Sequence, residues 1–232
     1  MQKLFTIKDL TKVKRPEWLE LRRSGIGGSD AAALMVPAEL YKWKRPADVY
    51  RSKIEPQPDE RKLICEMGNA LEPVIADQFA YDNGKKVYNY RKMLRSVEYP
   101  WMLADIDRKI SGENAGLECK YQTFFGSRQT KRDPETGETM RDPETGKIVW
   151  ESKYEGDNFP LNFYFQCLHY LAVTGWRRWY LACLVEGEMH YRIIDRKDPQ
   201  VMQYMAELIE RERIFWNEIV IPRDEEKLQE WI

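Results

Sequence analysis

The hydrophobic period changes in the middle of the chain, and that change limits the folds open to it. Over residues 60–82, Leu63, Ile64, Met67, Leu71, Ile75 and Phe79 recur at helical spacing, and Asn83-Gly84 closes the run. Short strand-like pieces follow at 86–88, 94–97, 102–107 and 116–122, with Ser111-Gly112-Glu113-Asn114 as the turn between the last two. Residues 161–174 form an apolar helix, 176–186 and 188–196 a hairpin through Glu186-Gly187, and 199–220 a long amphipathic helix. Upstream, Pro16 opens a helix to Arg23, Ser29 suits the N-cap of a helix over 30–35, and a further helix covers 46–53 before a polar link at 56–60. The order predicts an α/β (α+β) layer fold, a mixed sheet flanked by helices, in one domain over residues 1–232. Its C-terminal helical segment occupies about 199–232.

One stretch, residues 127–158, stands apart. RDPETGE from Arg132 and RDPETGK from Arg141 repeat with a period of nine, each with a turn-forming Asp-Pro and a Thr-Gly. This reads as an exposed hairpin or loop inserted in the core, or as a flap over a substrate or a neighbouring subunit.

Charge narrows the function classes. Lys plus Arg number 37 and Asp plus Glu 38, a net charge of −1, whereas a protein that only coats nucleic acid is usually basic overall. DNA binding here would use local patches or bound metal. No apolar run approaches the ~20 residues of a membrane span, and the charged start has no apolar core, so export is not expected and the cytoplasm is the predicted location. Cys65, Cys119, Cys167 and Cys183 lie far apart with no CxxC pair, which excludes a zinc knuckle and suggests reduced, buried side chains. His169, read as partly buried, and His190 are the only histidines, too few for a zinc site or a nucleophile triad.

The chemistry concentrates on two strands. Asp107 ends one, and eleven residues later the next carries Glu118-Cys119-Lys120. Alternation puts Glu118 and Lys120 on one face and Cys119 on the other, its backbone carbonyl still near them. Two carboxylates and a carbonyl make an oxygen-rich site suited to Mg²⁺ or Mn²⁺. A neighbouring lysine can orient or deprotonate a water and offset phosphate charge, as phosphodiester hydrolysis requires. Alone, the same residues also read as surface ion pairs. Glu72, in Gly68-Asn69-Ala70-Leu71-Glu72-Pro73, sits on the 60–82 helix, either solvated or reaching a metal. The glycine-rich segment from Arg22 to Ser29 leads into a helix N-terminus, which reads as an anion site or simply as a turn. Gln166, on an apolar helix, needs partners if buried, and a phosphate oxygen is one candidate.

In this order, Arg22…Ser29, Gly68…Glu72, Asp107, Glu118-x-Lys120 and Gln166 resemble the phage lambda-type 5′→3′ exonucleases, the viral alkaline exonuclease and YqaJ-like recombinase group of the PD-(D/E)xK nuclease superfamily. WLELRRSGIGGSDAA, MGNALEP, LADIDRKI with AGLECK, and YFQCLHYLAVTG with WYLACL carry the likeness from about Trp18 to Arg196. The resemblance implies a restriction-endonuclease-like core. It implies Mg²⁺ held by Asp107, Glu118 and the Cys119 carbonyl, with Lys120 positioning water and Glu72 supporting a second metal. Arg22, Ser29 and Gln166 would hold the 5′-terminal phosphate. It further implies processive digestion of linear duplex DNA to mononucleotides and a 3′ single strand, a ring-shaped homotrimer, and a single-strand annealing protein as partner. An endonuclease or junction resolvase on the same metal core, or an inactive DNA-binding module, are the alternatives. The chain departs from the group's pattern at Arg108, where a small residue often follows the aspartate, and at Asp105, where serine or asparagine is common.

Overall fold

The computed structural model describes residues 4–58, 60, 62–155 and 158–231. Asp59 of the predicted link, Arg61 of the predicted 60–82 helix, and Gly156 and Asp157 of the insertion lie outside them, as do 1–3 and Ile232.

In chain order the elements are β1 (Leu4–Asp9), α1 (Arg15–Arg23), β2 (Ile26–Gly27), α2 (Gly28–Met35), α3 (Pro46–Ile54) and α4 (Leu63–Asn83). Then come β3 (Val87–Asn89), β4 (Lys92–Ser96), β5 (Met102–Asp105), β6 (Arg108–Ile110), β7 (Ala115–Gln122), α5 (Phe124–Ser127), β8 (Arg128–Thr130) and β9 (Trp150–Ser152). The chain finishes with α6 (Leu161–Thr174), β10 (Arg178–Val185), β11 (Glu188–Asp195), α7 (Pro199–Ile214), its π-helical continuation Phe215–Val220, and α8 (Glu225–Gln229). Mixed sheets flanked by helices result, as the sequence predicts. One sheet has the order β1-β4-β5-β2 and the other β11-β10-β7-β6-β3.

The predicted strand over 102–107 ends earlier, as β5 at Asp105, and a further strand, β6, follows at Arg108–Ile110. β5 pairs with β4 in the first sheet, β6 pairs with β3 and β7 in the second, and the chain crosses between sheets at Ile106 and Asp107. The facing chain makes the same crossing, since Asn89 opposes Arg108 while Met93 opposes Asp105. Residues 86–110 therefore form one bent hairpin with a bulge at the bend. Asp107 lies in that bend, outside any strand. β7 is the second sheet's central strand, parallel to β10 and antiparallel to β6. It holds its register because Gly116 lies flat against Trp179, where a Cβ would come within 2.5 Å of the buried ring.

Helix α6 is buried along nearly its whole length and packs against α2, α7, β5 and β10, which explains its almost uninterrupted apolar sequence. Within it His169 is fully buried, not partly. Its Nε2 donates to the Leu103 carbonyl and its Nδ1 shares a proton with Glu212, each at 2.8 Å. This ties α6 to β5 and α7. The β10–β11 turn has positive φ at both Glu186 (54°) and Gly187 (89°), the two-residue type whose twist matches paired strands.

Four other expectations change. β1 was not anticipated; it is an edge strand held by β4. The N-cap of α2 is Gly27 and not Ser29: the Asp30 carboxylate accepts from Gly27 N at 2.9 Å and closes the helix end. Cys65 is exposed, whereas Cys119, Cys167 and Cys183 are buried free thiols. On α4, Ile75, Ala76 and Phe79 enter the core, but Leu63 is 74% exposed and Ile64 and Met67 are also open to solvent. Among the described residues no helix is long and apolar enough to cross a membrane.

The insertion is an exposed arm. β8 and β9 form its stem, and each repeat folds into its own small hairpin, bridged Arg132 to Thr139 and Arg141 to Ile148. Asp133 Oδ1 accepts from the amides of Glu135 and Thr136, and Asp142 Oδ1 does the same for Glu144 and Thr145. At the base three backbone bonds close a ring: Met140 N to Lys131 O (2.9 Å), Val149 N to Met140 O (3.1 Å), and Lys131 N to Val149 O (2.9 Å).

Candidate active site

A cleft of about 810 Å³ opens where the two sheets meet. Arg22, Ser29, Glu72, Asp107, Glu118, Lys120 and Gln166 all line it. The structure thus gathers seven of the eight residues singled out in the sequence. The eighth, Cys119, turns its side chain into the core and donates its amide to Asp107 Oδ2 at 3.1 Å.

The sheet crossing frees the Asp107 side chain to reach across to β7. Strand alternation places Glu118 and Lys120 side by side, with Lys120 Nζ 2.5 Å from Glu118 Oε1. Gln166, from α6, donates to the same oxygen at 2.6 Å and lies 3.1 Å from the Tyr170 hydroxyl. The other carboxylate oxygen, Glu118 Oε2, is buried with no hydrogen-bond partner among the described residues. Burial pushes both Asp107 and Glu118 above the usual carboxylate range, and a neighbouring carboxylate adds to it at each, Glu72 beside Asp107 and Asp107 beside Glu118. Burial alone would lower Lys120, but Glu118 and Asp107 outweigh it and raise its affinity for its proton. Lys120 is thus an ammonium donor, suited to orienting a water more than to deprotonating one.

Two departures from the group's pattern have local reasons. Arg108 pairs with the Glu72 carboxylate and also donates to the Asp107 carbonyl at 3.0 Å. It thereby joins α4 to the bend, and the Glu72 carboxylate meets a guanidinium here. Asp105 Oδ2 accepts from Trp18 Nε1 at 2.6 Å. The same indole carries the Arg22 guanidinium 4.7 Å from its ring centre, so Asp105 steadies the platform under Arg22.

The glycine-rich segment does a different job from the one expected. Its glycines have no positive φ. A Cβ at Gly25 would meet the Trp101 carbonyl at 2.6 Å, and one at Gly28 the Tyr170 ring at 2.6 Å, so glycine here permits close packing of β2 and α2. The Gly27 amide is already used by Asp30. Anion affinity therefore rests on side chains. Arg22 donates to Ser29 Oγ at 2.5 Å, and behind them Asp30, buried, meets Lys44, Lys53 at 2.7 Å and Arg22 at 3.7 Å. Burial opposes ionisation of Asp30, but these three cations outweigh it and hold the carboxyl well below its usual range. Asp30, Lys53 and Trp18 are site residues that no sequence motif singled out. The Trp18-x3-Arg22 spacing on one helix face was the available signal.

The site fits a divalent cation, which the group's fold implies. Two carboxylates converge with one buried oxygen unpartnered, and an oxygen-only donor set suits a hard ion. Among the described residues no three His, Cys, Asp or Glu side chains come together as a metal-binding group. The remaining positions would fall to backbone oxygen, water and phosphate, as Mg²⁺ tolerates.

Residues 17–177 match the YqaJ-like viral recombinase domain, and the chain belongs to that family. The uncharacterized protein YqaJ of Bacillus subtilis is 31% identical over 216 residues, which cover 91% of this chain and 58% of that protein's length. Among solved structures, LHK-Exo in complex with dAMP is similar with a TM-score of 0.55 and 13% identity, over 92% of this chain and 94% of that one. LHK-Exo is an alkaline exonuclease from Laribacter hongkongensis. A phage-related exonuclease from Haemophilus somnus 129PT gives 0.51 and 9%, over 89% and 100%. At these identities the structures share the fold.

Proposed function

We propose, taking membership of the YqaJ-like viral recombinase family as the premise, that this protein is a divalent-metal-dependent deoxyribonuclease that digests linear duplex DNA from 5′-phosphorylated ends. The observation that carries this reading is the convergence of Asp107, Glu118 and Lys120 in one cleft, with a buried Glu118 oxygen lacking a partner.

In this reading Asp107, Glu118 and the Cys119 carbonyl would hold Mg²⁺, or Mn²⁺ in its place. The bound ion would stabilise charge on the attacking and leaving oxygens. Lys120 donates to and orients the attacking water and offsets phosphate charge. Glu72, through its pair with Arg108, braces the bend that carries Asp107. Arg22 and Ser29 accept the 5′-terminal phosphate, and Gln166 releases one of its two present contacts to join them. A phosphate bound there lies in the same cleft as the reacting bond, which favours cleavage from an end. The family resemblance also supports a processive ring-shaped homotrimer, which light scattering would test. An annealing protein would take the 3′ strand.

The test is digestion of linear duplex DNA with Mg²⁺, comparing 5′-phosphate with 5′-hydroxyl ends, beside a closed circle and Lys120→Ala. Loss of the phosphorylated strand from its 5′ end, abolished in Lys120→Ala, is expected. Arg22→Ala should reduce the preference for phosphorylated ends about 10- to 150-fold, the worth of a charge-assisted hydrogen bond. Cleavage of the circle would establish an endonuclease instead. Absence of metal-dependent cleavage would leave a DNA-binding module.

A further inference from the structure

A second groove, of about 470 Å³, runs between the loop at residues 37–43 and the stem of the inserted arm. Two tryptophans line it and are open to water, Trp43 at 85% and Trp150 at 53% exposure. Large aromatic faces left in solvent on both sides of one groove mark an interaction site. Four cations share it: Lys42, Arg128, Arg132 and Lys153. Its acids are Glu39 and Glu151, so positive charge is in excess, and the Gln129 amide already donates to Glu151 at 2.9 Å. Arg132 donates to the Gly137 carbonyl at 3.0 Å and Lys153 to the Gly126 carbonyl at 2.9 Å, contacts that fix their positions without cancelling their charge. Burial lowers the proton affinity of Lys153.

Flat aromatic faces interleaved with cations are what a single strand of nucleic acid requires, with bases stacking on the indoles and phosphates meeting Lys and Arg. A duplex hides its base faces, and an acidic peptide would leave the indoles without a stacking partner. The elements that form the groove are tied to the strand that lines the cleft. The Tyr154 hydroxyl, just beyond β9, donates to Gln122 Oε1 at 2.8 Å, which fastens the arm to the end of the strand carrying Glu118 and Lys120. Tyr41, in the same loop as Trp43, feels the charges of Asp30 and Lys120.

We propose that this groove binds single-stranded DNA, with Trp43 and Trp150 as stacking platforms. On the nuclease reading, it guides the strand that digestion leaves unpaired. The inserted arm thereby acquires a function that the cleft does not give it.

The test is fluorescence anisotropy of a labelled 12-mer oligothymidylate with the full chain in EDTA, so that binding is read without cleavage. Saturable binding is expected, with log K falling against log salt at a slope of about −2 to −3 for up to four phosphate contacts. Trp43→Ala and Trp150→Ala should each weaken it about 5-fold or more, while the corresponding Phe variants retain it. Unchanged melting temperatures would show the variants folded. Absence of binding, equal affinity for a duplex of the same length, or undiminished affinity in the double alanine variant would each overturn the proposal. Digestion with Mg²⁺ is run on the same preparations. Cleavage without strand binding rejects the groove alone, and strand binding without cleavage rejects the nuclease reading alone.

Discussion

Replacing Asp30 with asparagine removes one charge on which three cations depend. Arg22 and Lys44 keep 24% and 25% of their side-chain surface in water and can turn to it. Lys53 keeps 2% and cannot. Burial already pushes Lys53 down to about 8, with Asp30 opposing the fall. Without Asp30 that value drops further and the fold holds Lys53 neutral at pH 7. Removing one partner of a buried pair costs about 3–5 kcal/mol, which is the loss expected for Asp30→Asn at pH 7. The loss depends on pH with a definite sign. The unfolded chain keeps the lysine proton up to about 10.4. The wild-type fold keeps it below about 8, and the variant fold only below a lower value. Between that lower value and about 8, the variant fold alone binds one proton fewer than its unfolded chain. Its deficit therefore shrinks by up to about 1.4 kcal/mol per unit as pH rises through that window, and levels off above it. Urea unfolding at pH 6, 7, 8 and 9 reads both effects. Adding Lys53→Met, which removes the stranded amine, should recover most of the loss. A deficit under about 1 kcal/mol at pH 7, a flat profile from pH 6 to 8, or no recovery in the double variant would refute the reasoning.

Gly116→Ala drives a methyl group into the buried Trp179 ring, 2.5 Å from the ideal Cβ position. Overpacking of this kind costs about 1–3 kcal/mol, or a fall of about 2–12 °C in melting temperature, which calorimetry would show. The His169–Glu212 pair makes stability fall in alkali. Burial alone would lower His169, but Glu212 and the Leu103 carbonyl raise it, and burial raises Glu212. Both partners bind protons more tightly in the fold, so the contribution of Glu212 is fully present only below about 4.3 and that of His169 below about 6.5, and each is lost as pH rises through the raised value. Glu212→Gln should give a flatter stability profile from pH 6 to 9, and equal slopes would reject the shared proton.

The parts of the site that were legible in the sequence are those that local periodicity can express. The ExK pair on β7 follows from strand alternation, and Glu72 and Gln166 from helical runs. What escaped depends on pairing between distant segments. The strand read at 102–107 stops short because alternation does not say to which sheet a residue belongs: pairing with β4 ends at Asp105, and pairing with β3 and β7 begins only at Arg108. Asp30 looks like an ordinary first-turn acid until Lys44 and Lys53 arrive from the next loop and helix. The glycines of 25–28 suggested a bent, anion-binding backbone, but they answer to Trp101 and Tyr170, residues far along the chain. Leu63, Ile64 and Met67 show the same limit from the other side, since a helical period marks an apolar face without saying what covers it.

The ring of backbone bonds at the base of the inserted arm sets the number of repeats. Lys131, Met140 and Val149 are each nine residues apart, and each passes one hydrogen bond to the next until the circle closes. Two repeat hairpins and the β8–β9 stem fill three sectors around it. A tandem repeat usually tolerates gain or loss of a unit, because each unit touches only its neighbours. Here a third copy would demand a four-membered circle, and a single copy would leave a plain hairpin with no junction. The repeat thus behaves as a closed figure, in which duplication of a nine-residue unit completes a threefold shape and then stops.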